Sequence, residues 1–489
     1  VTERKHDIKI YFSDFFGVSS ETIRNHGSFN ISLINDLPLF VDPFLLFNSE
    51  KDEYKALHKD IVNYLSFLQT NATSTLPKGL MEAWYCFPEV RQNWFGYSKI
   101  GNGGHGLGRT FANNLNTNLH TVFDIKAGGV GIGVHLEKLC LIKNGVGRDN
   151  ISDFVTNLIK GYLAQYTEDF AKKYVDPAKC REFPVTKAEF NYHTKTWITK
   201  RYMLPAFCGD FVLLTPIDML TKDETWINHA DLIADFSSVA AAVPNEQLRA
   251  QISNYVIQVM PLEPTKKDRD EAYEKVLLKF PMLLDAYIAL KEREGDGAKA
   301  LSEEKVKSTQ ILFEQQLRDL VELLWKGNFY EIQTNTREDA LQRLNYLKHV
   351  IEKQDGYKLF YVEGKPVRRE TDLQIMFKLT WLAATFDYNA EVNNGRGPAD
   401  FVVSFGSTDK TVIEFKLASN TSLESNLKKQ AEIYSDAARA NRAPIKAILY
   451  FTEAEHSKVH RLLRTHELIG DNNIILIDAT DNKPSASKA

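Results

Sequence analysis

The sequence predicts an α/β protein with a C-terminal mixed sheet flanked by helices, preceded by a helical connector and a larger α+β N-terminal region. Three observations predict it. The last third alternates short strand-like runs with amphipathic helical runs. The middle carries charge-rich stretches with an apolar stripe at helical spacing. The first half mixes apolar runs, a long amphipathic stretch and glycine clusters. At 489 residues the chain is too long for one typical core, and units over 1–260, 261–334 and 335–489 are expected.

In the N-terminal region, LPLFVDPFLLF is strongly apolar and interrupted by an Asp42–Pro43 turn. Residues 151–175 predict one amphipathic helix, with Ser152 placed to cap it and Phe154, Leu158, Ile159 and Tyr162 at helical spacing. FVLLTPIDML (211–220) reads as a buried strand followed by a turn. The glycine-rich stretch GYSKIGNGGHGLGR (96–109) could offer His105 and Arg109 to a ligand. It lacks the G-K-[ST] of a phosphate loop, so it reads as a surface loop. A second cluster, KAGGVGIGVH (126–135), reads as tight turns. In NGVGRDNISD (144–153), Asp149 and Asp153 fit helix capping and first-turn charge better than a carboxylate site.

The connector consists of two charge-alternating helical stretches. Between them EREGDGAKALSEE breaks the pattern and reads as a flexible elbow.

From 335 onward the predicted order is helix (REDALQRLNYLKHVIEKQ), short strand (KLFYVE), helix (RRETDLQIMFKLTWLAATF), then strands YNAEVN, ADFVVSFG and TVIEFKLA. A helix (LESNLKKQAEIYSDAARAN), a strand (IKAILYFT), a helix (EAEHSKVHRLLRTHEL) and a last strand (NIILIDA) follow, with a disordered tail. In TVIEFKLA, side chains alternate between faces with period two. Glu414 and Lys416 share one face; Ile413, Phe415 and Leu417 take the other. Charges inside an apolar strand are costly unless paired or bound to a metal. A solvated edge strand would tolerate them, but the apolar flanks and helix crossover predict a central position. Asp400 begins the preceding strand, and pairing across the turn STDK brings it towards Glu414. Two carboxylates beside a lysine suit a hard cation such as Mg²⁺, which polarises a phosphoryl oxygen and acidifies a bound water.

These residues resemble the PD-(D/E)XK nuclease superfamily. GRGPAD, ending at Asp400, is followed by VIEFK, which holds Glu414 and Lys416. Ala399 separates Pro398 from Asp400, where the strict spelling puts Pro directly before Asp. The resemblance implies a restriction-endonuclease-like fold for the C-terminal sheet. It implies Asp400, Glu414 and the backbone carbonyl of Phe415 as ligands to Mg²⁺, with Mn²⁺ able to substitute, and Lys416 as the water-orienting group. A Glu on the helix before the hairpin is often a further ligand in the superfamily; Glu370 matches it, with Asp372 the alternative. Members often carry a Gln on the following helix, four residues before a Tyr, and Gln430 and Tyr434 match it. Arg368, Arg369, Arg396, Lys428, Lys429 and Tyr434, with Lys365, would contact the nucleic-acid backbone.

The implied activity is metal-dependent endonucleolytic cleavage of DNA, with RNA the alternative substrate. Cutting both strands implies a homo-oligomer. Sensor-like regions joined to this fold are common in restriction and anti-phage defence proteins. By that analogy, residues 1–260 would regulate cleavage in response to a phage-derived or nucleotide activator. Two rival readings are a non-catalytic nucleic-acid-binding module and an N-terminal ligand sensor with a nuclease-fold effector.

Composition adds exclusions. A net charge of -4 argues against a generally basic nucleic-acid coat, though not against a local basic groove. No apolar run is long enough for a membrane helix, and the first residues lack the apolar core of a secretory signal. Cys86, Cys140, Cys180 and Cys208 form no C-x-x-C pair, which predicts reduced thiols and a cytoplasmic location.

Overall fold

The computed structural model describes residues 9–73, 76–96, 107–122, 135–138, 141, 148–222, 224–326, 329, 335–381, 387–389, 401–405, 409–434, 444–481 and 483. The fold is mixed α/β. In the N-terminal region two long antiparallel strands, β1 (Cys180–Asn191) and β2 (Thr196–Phe207), form a hairpin. Asn191 closes its turn by accepting from the N–H groups of His193 and Thr194 at 2.9 and 3.1 Å. Helices α1 (Asp52–Asn71), α2 (Arg148–Leu158) and α3 (Lys160–Tyr174) flank this hairpin.

Several local expectations are overturned by tertiary contacts. The helix expected over 151–175 is two helices, broken at Ile159. Gly161 lies so close to the Ala188 carbonyl that any Cβ would collide with it, so the chain must bend there to meet the sheet. Ser152 is not a cap; it sits inside α2 and its hydroxyl accepts from the Val41 N–H at 3.0 Å. Asp42–Pro43 is a helix start rather than a turn between apolar runs. Asp42 accepts from the Phe44 N–H at 3.0 Å, and Pro43, which has no N–H to satisfy, takes the first helical position. Residues 212–216 are buried irregular backbone, not strand. Their amides find non-local acceptors: Val212 on Pro205, Leu213 on Gln92, and Leu214 on the Thr167 hydroxyl.

The expected flexible elbow is a tight junction instead. Helix Met282–Arg293 ends one residue before α4 (Gly295–Gln310), and Gly295 is seated against the Asn48 side chain with no room for a Cβ. The helix then runs through a wide turn at Ile311–Gln316 to Trp325. The first half of KLFYVE belongs to a 3₁₀ turn, Gly356–Phe360, and its two strand residues pair with Lys365–Pro366 outside the main sheet.

The C-terminal sheet follows the expected order. Its strands are β3 (Asp387–Asn389), β4 (Phe401–Phe405), β5 (Asp409–Leu417), β6 (Ile445–Tyr450) and β7 (Ile474–Asp478). They lie in the order β7-β6-β5-β4-β3. The pairs β3/β4 and β4/β5 are antiparallel; β5/β6 and β6/β7 are parallel. Helices α5 (Thr336–Lys353) and α6 (Glu370–Thr380) cover the face of Ile413, Phe415, Ile475 and Ile477. Helices α7 (Leu423–Tyr434) and α8 (Glu453–Thr465) cover the other, around Ile448, Leu427, Val459 and Leu463. The larger core is continuous from Ile10 near the N-terminus, through Leu317 and Leu324, to Ile477 in β7.

Candidate active site

β5 is the central strand, so its side chains are enclosed from both flanks. The Phe415 ring stacks on Phe377 of α6, with centroids 3.9 Å apart and planes 18° from parallel. That contact sets α6 against the sheet and brings its first residue, Glu370, to Lys416. Lys416 Nζ donates to Glu370 Oε1 at 2.8 Å. Asn420, just past the end of β5, donates its amide to Glu370 Oε2. Gln374, one helical turn along, donates to Oε1 at 3.3 Å. The Lys416 and Glu370 side chains are 11% and 21% exposed, so their attraction is poorly screened by water. Lys458 donates to the carbonyls of Ala418 and Asn420 at 2.9 and 3.3 Å, holding the loop that carries Asn420.

Glu414 faces a second lysine. In the parallel register it lies opposite Lys446 of β6, and Lys446 Nζ donates to Glu414 Oε2. Glu414 Oε1 has no hydrogen bond to a described residue. Sequence reasoning missed Lys446 and Asn420. Lys446 carried a usable signal, a lone charge within the apolar run IKAILY, but its partner depends on a register across a helix crossover. The Asn420 contact had no local signal.

The remaining expected residues divide into three groups. Asp400, Arg396 and His105 lie outside the described residues, as do the side chains of Lys429, Gln430 and Tyr434. The last described pair of the β4/β5 ladder is Phe401 with Ile413. A second group is described but engaged elsewhere or solvated. Arg368 donates to Glu455 at 2.6 Å, Arg369 is the exposed N-cap of α6, and Lys365 and Lys428 are exposed. Arg109 pairs with Glu82 on the surface at 2.6 Å. Asp149 lies in the first turn of α2, and Asp153 one turn on is pushed up to about 7 by burial, then by Glu89 and Asp149. The third group is corrected. Asp372 is no alternative to Glu370, because it forms a buried ion pair with Lys222 of the N-terminal region at 2.5 Å. The cysteines need no correction: Cys86, Cys180 and Cys208 are free thiols, as expected, and Cys140 lies outside the described residues.

The donor set can be tested against a hard cation. Glu414 is half-buried with one oxygen unengaged, and Phe415 follows it on the strand. This suits a carboxylate and carbonyl ligand pair. Both Glu370 oxygens already accept hydrogen bonds, so Glu370 fits the role of seating Lys416 better than that of a ligand. Among the described residues, no group of three or more His, Cys, Asp or Glu could hold a metal ion. The candidate set therefore depends on Asp400 for its second carboxylate. Among the same residues, no helix is long and apolar enough to cross a membrane.

Two family models match the chain. A domain of unknown function, DUF8370, matches residues 17–228, and another, DUF8371, matches residues 336–453. The second match encloses Glu370, Asp400, Glu414, Lys416, Asn420, Gln430 and Lys446. The first encloses the β1/β2 hairpin and Lys222. No curated protein and no solved structure matches the chain.

Proposed function

We propose that the C-terminal sheet is a Mg²⁺-dependent endonuclease acting on DNA. The observation that supports it best is Lys416, held by Glu370 at 2.8 Å on the central strand, on the same face as Glu414. A lysine fixed by a carboxylate is held in one orientation, which suits orienting a water or offsetting charge on a phosphoryl group. Glu414, the Phe415 carbonyl and Asp400 would hold the metal, which supplies a polarised phosphoryl oxygen and an acidified water. Glu370 and Asn420 position the lysine. Lys446 limits the repulsion that Glu414 would exert on a phosphate. The N-terminal region would control cleavage, and the Lys222–Asp372 pair supports this because it reaches the helix that carries Glu370.

The test is supercoiled circular DNA incubated with Mg²⁺ or Mn²⁺. Wild type is expected to yield nicked or linear product, and Asp400→Ala, Glu414→Ala and Lys416→Ala are expected to lose roughly 10²–10⁴-fold in rate while remaining folded. Undiminished cleavage by all three variants would discard the site.

One observation favours a second reading. Among the described residues, one Glu414 oxygen is taken by Lys446, and both Glu370 oxygens are taken too. Such neutralised carboxylates also suit a module that binds nucleic acid without cutting it. Metal-independent DNA binding with no product from any DNA form would select that reading.

A further inference from the structure

We propose that Lys160 and Lys187, in the N-terminal region, form a binding site for a phosphate-type anion. Six lysines and arginines among the described residues are buried: Lys138, Lys160, Lys222, Arg343, Lys416 and Lys446. Five of them pair with a carboxylate, respectively Asp285, Asp372, Asp339, Glu370 and Glu414 for all but Lys160. Lys160 is 5% exposed and forms no hydrogen bond or ion pair with a described residue. The charge that acts on it is a second ammonium, that of Lys187.

The backbone builds this meeting of like charges. Gly161 is packed against the Ala188 carbonyl, which sets residues 160 and 187 beside each other where α3 crosses β1. Lys187 sits in the register shift between Val185 and Glu189, with φ of +53°, a conformation that an L-residue adopts only when its surroundings impose it. Its ammonium donates to the carbonyls of Ala83 and Cys86 at 3.2 and 2.7 Å and lies 4.4 Å from the Phe87 ring centre. Those partners orient the charge without neutralising it. A third donor lies near the end of α2: Thr156, four residues before Lys160, is buried and its hydroxyl has no partner. Burial pushes both lysines down to about 8.

A largely buried lysine without a counter-charge is costly to the folded chain. Two ammoniums that act on each other, with a partnerless buried hydroxyl four residues away in sequence, match a compact dianion. A phosphate or the terminal phosphate of a nucleotide has that charge and size, whereas a single carboxylate leaves one lysine uncompensated.

The experiment uses the full chain at constant ionic strength, balanced with sodium chloride. Inorganic phosphate, pyrophosphate and ADP are titrated separately, with calorimetric binding and thermal unfolding as readouts. Saturable binding with a rise in Tm is expected for at least one of the three, and the strongest arm identifies free anion or nucleotide as the source. Lys160→Met and Lys187→Gln are each expected to weaken that binding at least tenfold. Without ligand, Lys160→Met should raise Tm, because an unmatched buried charge has been removed. The proposal is overturned if no probe stabilises wild type beyond the chloride control. It is equally overturned if both variants bind as wild type does. Should Lys160→Met fail to fold, the wild-type titration and the half-exposed Lys187→Gln still decide. None of these outcomes depends on DNA cleavage.

Discussion

Buried charge is handled differently in the two ends of the molecule. In the C-terminal sheet each buried cation meets a carboxylate: Lys416 with Glu370, and Lys446 with Glu414. The N-terminal region has matched pairs too, Lys138 with Asp285 and Lys222 with Asp372, but it also sets like charges within reach of each other: Lys187 acts on Lys160, and Asp42 on Glu137. Burial pushes Asp42 up to about 6; it raises Glu137 well above the carboxylate range, with Asp42 adding to the effect. Both Glu137 oxygens are buried without a partner. The difference is thermodynamic. A matched pair is complete in the folded chain and is weakened by deleting either member. An unmatched pair destabilises the folded chain until a proton, an ion or a ligand arrives.

The sharpest way to break this contrast is to delete one partner from the matched region. Lys446→Met leaves half-buried Glu414 without its lysine, and is expected to cost about 2–4 kcal/mol in chemical denaturation. A loss below about 1 kcal/mol would show that water already screens the pair.

A smaller effect is expected from pH in the unmatched region. Asp42, Glu137 and Asp153 all have raised pKa values in the folded chain. The folded state therefore binds more protons than the unfolded state between the two sets of values. Stability from Asp42 and Asp153 is fully present below about pH 4 and is lost as pH rises through about 6 to 7, and Glu137 acts in the same direction. Asp42 alone accounts for roughly 2–3 kcal/mol of that loss. Glu137→Gln is expected to flatten the profile of unfolding free energy between pH 5 and 8. An unchanged slope would mean that the carboxylates are neutralised by something else.

The smallest effect belongs to exposed pairs, which the comparison leaves aside. Arg109→Ala removes the surface pair with Glu82 and is expected to change stability by less than about 1 kcal/mol. A larger change in Tm would assign Arg109 a role beyond that pair.

How much was legible in the sequence follows from how local each cause is. The faces of β5 were legible because alternation is a property of the strand itself, and the apolar flanks announced its central position. The candidate site was legible as far as residue types and element order reach: Glu370 on α6, then Glu414 and Lys416 on β5. Helix geometry could also have separated Glu370 from Asp372, since two residues turn a helix by about 200° and send them to opposite sides. The break at Ile159 and the junction at Gly295 were hidden because each is imposed by a distant backbone or side chain, Ala188 and Asn48. The irregular run 212–216 looked like a strand because its apolar residues are buried, while its hydrogen-bond partners lie far away in sequence.

The Lys222–Asp372 bond carries one more consequence. Asp372 stands two residues after Glu370, and its partner arrives from a strand pair, Phe40–Val41 with Leu220–Thr221, that lies wholly in the first half of the chain. A fragment starting at residue 335 would lose that lysine. It would also lose the apolar cover that Leu317, Leu320 and Leu324 contribute to the shared core. The C-terminal sheet is thus not a cassette that can be cut out and moved to another protein. The helix that seats Lys416 is part-owned by the N-terminal half, and a transplant would have to bring its owner along.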